Sequence, residues 1–152
     1  MSEPQTTIPA YVPSGPSGPR ASFGRRLVAL LIDGILVAIV YGILYAIIGE
    51  TASSLVLVAV WFAYFTFFEG SPSGQTIGKR ALGIRVIDFR AGGPIGFARG
   101  LGRTAARILS GLLCYLGYFW MLWDGERQTW HDKLATTVVV PVAYYPVDKW
   151  PG

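Results

Sequence analysis

An aspartate stands inside the longest apolar run of this sequence, and its setting demands a chemical explanation. Asp33 is the single charge within residues 27–49, LVALLIDGILVAIVYGILYAIIG. A carboxylate at the centre of a bilayer costs roughly 2.5–3.5 kcal/mol on insertion scales, so a partner must offset it or a function must use it. Arg26 stands two turns earlier on nearly the same helix face, about 10.5 Å away along the axis. Arg103 and Arg107, one turn apart on the approach to a later apolar stretch, are the candidate ion-pair partners that reach Asp33 from a neighbouring helix. Such a pair has two readings, a lock on packing and register or part of a proton or ion path. With no second acidic residue deep in an apolar run, the lock is favoured.

Other reactive residue types occur in weaker settings. GQTIGKR, residues 74–80, invites comparison with a phosphate loop but has three residues between its glycines and an arginine after the lysine. A phosphate loop needs four intervening residues and then Ser or Thr. The expectation is therefore a basic turn beside the membrane, facing anionic lipid headgroups. His131 and Asp132 are adjacent, yet a lone histidine without further ligands points to local hydrogen bonding. Asp132 is expected to anchor an arginine or cap the following turn. Cys114 reads as a small packing residue. One Cys and one His exclude a disulfide framework and a multi-ligand metal site built by this chain alone. No nucleophile triad, carboxylate pair or nucleotide fingerprint stands in convincing context, so neither enzyme activity nor a cofactor is expected.

The elements that must position these residues follow from composition. Of 152 residues 52% are hydrophobic and 14% charged, and the mean hydropathy is +0.44. Soluble domains carry about 25% charge, so a membrane protein is the leading class. Residues 27–49 and 52–68 are each long enough to span as helices, and the short connection between them dictates a tight antiparallel hairpin. A third stretch, 108–123, contains Gly111 and Gly117 and either spans or dips in and returns. In the loop before it, Leu82, Ile84 and Val86 alternate against Arg85 and Asp88 as a strand would, and TTVVV at 136–140 is its best partner. If those strands pair, the third stretch is not a simple crossing. Residues 1–22 hold five of the ten prolines and read as a disordered tail, and 141–152 form a second tail. The fold class is thus an all-α integral membrane protein with a membrane domain over 23–140 and a small cytoplasmic β ribbon.

Charge distribution gives orientation. Arg20, Arg25 and Arg26 precede the first run, no basic residue separates the first two, and Lys79, Arg80, Arg85, Arg90, Arg99 and Arg103 follow the second. The positive-inside bias places the N-terminus and the long loop in the cytoplasm and explains a net charge of +4 without nucleic acid. Gly34, Ala38, Gly42 and Ala46 recur every four residues as a close-packing seam. Either the intramolecular hairpin or a homo-oligomer can use it, and tethering favours the hairpin.

Three ordered motifs carry a resemblance over residues 22–140. They are RLVALLID at 26–33, GQTIGKRALGIRVID at 74–88 and RQTWHDKLATTVV at 127–139. Together they resemble the RDD family of membrane proteins. That family is named for one arginine and two aspartates, which the resemblance puts on Arg26, Asp33 and Asp132; Asp88 also occupies a family-like position. The resemblance implies a multi-pass protein of the cell membrane whose biochemical role is mostly undefined, with transport and sodium/proton exchange suggested for some members. From residues and resemblance together, the expectation is an accessory or interaction protein in the lipid bilayer. The alternative is a transporter or exchanger component working as an oligomer or with a larger membrane partner.

Overall fold

The computed structural model describes residues 19–113 and 115–144. Most of the expected N-terminal tail, the end of the C-terminal tail and Cys114 lie outside the described residues. The chain forms α1 (Phe23–Ile48), α2 (Glu50–Gly70), α3 (Ile77–Ala81), β1 (Ile84–Asp88), α4 (Gly96–Leu112), α5 (Leu116–Phe119), a 3-10 turn (Trp120–Leu122), α6 (Trp130–Leu134) and β2 (Thr137–Pro141).

α1 starts four residues before the apolar run because Ser22 caps it, its hydroxyl accepting from the Arg25 N–H at 3.3 Å. Its 26 residues extend about 39 Å and the 21 of α2 about 32 Å, each enough to cross a bilayer's hydrocarbon. Both are apolar enough to do so. Gly49 separates them at φ +76°, a left-handed conformation that glycine adopts without steric cost. Asp33 and Tyr64, 31 positions apart and nearly equidistant from Gly49, meet at 2.7 Å, so the pair is the expected hairpin. Its outer surface is aliphatic: Leu31, Ile35, Ile39, Ile43 and Ile47 are all more than half exposed, as lipid contact requires.

The seam expectation for the hairpin is corrected. Gly34, Ala38, Gly42 and Ala46 are exposed, and a Cβ at Gly34 or Gly42 would meet no atom within 4 Å. Hydrogen bonds to Asp33 fix the rotation of α1, and Gly34 stands one residue, about 100°, around the helix from it.

The third apolar stretch divides between elements. α4 begins at Gly96 and buries one face, through Gly100, Arg103, Thr104, Ala106, Arg107 and Ser110, at helical spacing. Past Leu112 the chain turns, with Tyr115 at φ +60°, and residues 116–122 leave α4 at 108°. Gly117 permits that return, because a Cβ there would lie 2.6 Å from the Ser110 hydroxyl. The geometry is that of a broken span or a re-entrant segment, not a straight crossing.

β1 and β2 pair antiparallel, with Val86 opposite Val139. Both faces of this ribbon are covered, unlike a simple alternating strand. Ile84, Val86 and Val139 pack with Ala21, Ala29 and Ile95, while Ile87, Val138 and Val140 pack with Phe89. Burial on both faces supplies what a two-stranded ribbon lacks alone.

Candidate functional site

Two buried carboxylate centres organise the described residues, and different chemistry satisfies each. The first is Asp33, 1% exposed. Its Oδ1 accepts from the Tyr64 hydroxyl at 2.7 Å and the Gly78 N–H at 2.8 Å, and its Oδ2 accepts from the Thr76 hydroxyl at 2.6 Å. Sequence order explains the arrangement. Thr76 is the N-cap of α3, so the first turn presents unpaired N–H groups, and the carboxylate of Asp33 takes one of them. Gly78 must be glycine, since a Cβ would stand 2.1 Å from the Ala29 carbonyl oxygen. GQTIGKR thus clasps α1 through Thr76 and Gly78. Its Lys79 is buried, although Arg80 is exposed.

This overturns the expectation that Arg103 or Arg107 meets Asp33. Both arginines are committed to the second centre, around Glu69 and Asp132. Glu69 Oε1 accepts from Lys79 Nζ at 2.6 Å and Arg107 Nη2 at 2.7 Å, and Oε2 accepts from Arg103 Nη1 at 3.3 Å. Arg103 also pairs with Asp132, whose other oxygen accepts from Arg26 Nη2 at 2.6 Å. The result is a continuous chain of charge, Arg26 to Asp132 to Arg103 to Glu69 and on to Lys79 and Arg107. It ties α1, α2, α3, α4 and α6 together at one end of the hairpin. Both carboxylates are fully buried.

Asp132 has a second duty. Thr129 caps α6, its hydroxyl accepting from the Asp132 N–H, while the Thr129 N–H donates to Asp132 Oδ2 at 2.9 Å. Burial opposes ionisation of this carboxyl, but the Arg103 and Arg26 guanidiniums outweigh it and hold it well below the usual carboxylate range. Burial lowers the Lys79 ammonium, with Glu69 opposing. Burial also pushes the His131 imidazole well below its ordinary value, keeping it neutral between the Ser110 and Thr129 hydroxyls. Asp88 pairs instead with the partly exposed Arg99, away from this cluster.

Sequence reasoning missed Glu69, which stands one position past the apolar run 52–68. A signal existed: Arg103 and Arg107 share a buried helix face, and two guanidiniums there require more than one carboxylate. Beside the network lies a cavity of about 260 Å³ between the first turns of α1 and α5. Among the described residues no group of three or more His, Cys, Asp or Glu is placed to hold a metal ion.

Similar proteins give this geometry its family context. A "Proline-rich antigen homolog" of Mycobacterium tuberculosis (strain ATCC 25618 / H37Rv) is 41% identical over 69 residues, 45% of this chain and 29% of that protein. The "Proline-rich antigen" of Mycobacterium leprae is 33% identical over 96 residues, 57% of this chain and 38% of its own length. The chain therefore spans well under half of these mycobacterial relatives. The "Uncharacterized protein YxaI" of Bacillus subtilis is 29% identical over 147 residues, covering 79% of this chain and 96% of that protein. No solved structure matches. The sequence profile of the RDD family matches residues 20–136, from just before the cap of α1 to the threshold of β2, and the chain belongs to that family.

Proposed function

We propose that this chain is a non-enzymatic accessory or interaction protein of the cell membrane, anchored by its helical hairpin with the N-terminus cytoplasmic. One observation carries the reading: the carboxylate inside α1 is satisfied by three donors from its own chain, as a register lock requires. A carboxylate that carries cargo needs free coordination positions, and Asp33 commits three of its roughly four acceptor positions to Tyr64, Thr76 and Gly78. The basic residues flanking the hairpin support the orientation, since none lies at the Gly49 connection. Exposed Arg25, Arg80 and Arg90 suit contact with anionic lipid headgroups, which predicts salt-sensitive association with anionic vesicles.

The buried ionisable groups at one end of the hairpin, Glu69, Asp132 and Lys79, favour a second reading, a cation or proton exchanger component. Two long helices and one bent segment are few to enclose an aqueous path, so this reading requires a homo-oligomer or a larger membrane partner. Reconstitution into liposomes with pH- and sodium-sensitive dyes separates the two. The accessory reading expects no flux above empty liposomes under either gradient. A flux that Asp33→Asn abolishes in a folded, inserted protein would replace it with the exchanger reading.

A further inference from the structure

The charge network uses one of its members incompletely. Arg107 is 5% exposed, its Nη2 donates to Glu69, and its guanidinium carbon lies 4.2 Å from the Phe65 ring centroid. Its Nε and Nη1 are buried without a hydrogen-bond partner among the described residues. Desolvated donors on a charged group are among the least favourable things a protein interior can hold. Arg107 also lines the cavity, together with Arg26, Lys79 and Arg103. These four cations face two carboxylates, Glu69 and Asp132, so positive charge is in excess on that wall.

Much of the rest of the lining is apolar. Leu27 and Leu30 on α1 and Phe119 on α5 supply apolar surface. The depth is also informative: Arg26 lies in the first turn of α1 and Glu69 is the penultimate residue of α2, so the charged wall sits at one end of the hairpin. In a bilayer that is where headgroups meet hydrocarbon. A small inorganic anion would use the cations and leave the apolar wall uncovered, whereas an amphiphile matches both.

We propose that this cavity binds the anionic headgroup of an amphiphile, with phosphate or carboxylate oxygens on Arg107 and the apolar chain along Leu27, Leu30 and Phe119. The inference holds whether the protein is an accessory or an exchanger component, because it rests on the cavity alone. Arg107 supplies planar N–H donors suited to an oxyanion.

Native mass spectrometry of the full chain in neutral detergent tests it, with phosphatidylglycerol and phosphatidylcholine of matched chains as probes. Expected is a preference of about tenfold or more for phosphatidylglycerol, saturating at one lipid per chain. Arg107→Gln should remove that preference and Arg107→Lys should restore part of it. Leu30→Trp fills the cavity without touching an ion pair, and it should weaken phosphatidylglycerol binding by about tenfold. That variant decides the matter if Arg107→Gln does not purify folded. Equal binding of the two lipids, or phosphatidylglycerol binding unchanged in Leu30→Trp, overturns the proposal. So does inorganic phosphate that displaces the lipid at equal concentration, since it would mark a free-anion site.

Discussion

Asp33 was conspicuous in the sequence because a charge in an apolar run is visible without any structure. Its partners were not, because they are a tyrosine, a threonine and a backbone N–H, none of which carries a charge that spacing could reveal. This composition predicts an asymmetry between two substitutions. Asp33→Asn keeps an acceptor for the Gly78 N–H and should cost about 1 kcal/mol, whereas Asp33→Ala strands buried donors and should cost about 3 kcal/mol or more. SDS titration of both variants in mixed micelles checks this, and equal losses would mean that ionic charge, not hydrogen bonding, matters at Asp33. The sequence's one histidine gives a pH prediction. Burial keeps His131 neutral in the folded chain, while in the unfolded chain it titrates near its ordinary value of about 6.5. The unfolded state binds more protons below that pH, so stability present above it falls on acidification. Asp132 persists through this window, because its carboxyl is held well below the usual range. The melting temperature should drop between about pH 7.5 and pH 5.5, and His131→Gln should flatten the drop. A slope that survives in His131→Gln would assign it to another group.

Among the elements, both long helices were legible from length and hydropathy, and the ribbon from the matched apolar character of residues 82–88 and 136–140. α4 was harder to read because its buried face is largely polar, carrying Arg103, Thr104, Arg107 and Ser110. Such a helix packs by pairing charge, and the pairing partner, Glu69, lies 34 positions earlier in a segment that reads as lipid-facing. The seam on α1 is the converse case within the hairpin. Small residues permit close approach without requiring it, and the Asp33 clasp sets the rotation. Element-level dependence on Glu69 predicts a large loss for Glu69→Gln, about 3–5 kcal/mol, because three buried cations lose their shared anion. Asp88→Asn breaks a pair whose arginine side chain is 36% exposed and should cost under about 1 kcal/mol. Thermal melting of the two variants in one detergent compares them, and similar losses would contradict the distinction between buried and surface pairs.

For the whole molecule, a hairpin with an aliphatic exterior is held at one end by charge that closes over it from α4 and α6. Arg26, Asp33 and Asp132 stand in these two centres. Arg26 and Asp132 form a direct ion pair that fastens α1 to α6 across 106 positions, and Asp33 fastens α1 to α3. The most direct test of this account is a double-mutant cycle on the first of those links, comparing Arg26→Gln, Asp132→Asn and the double variant by unfolding in mixed micelles. The account predicts a coupling of about 1–3 kcal/mol, with the double variant losing less than the two single losses added together. Strictly additive losses would show that the two residues do not act on each other, and the charge closure of the hairpin would be wrong.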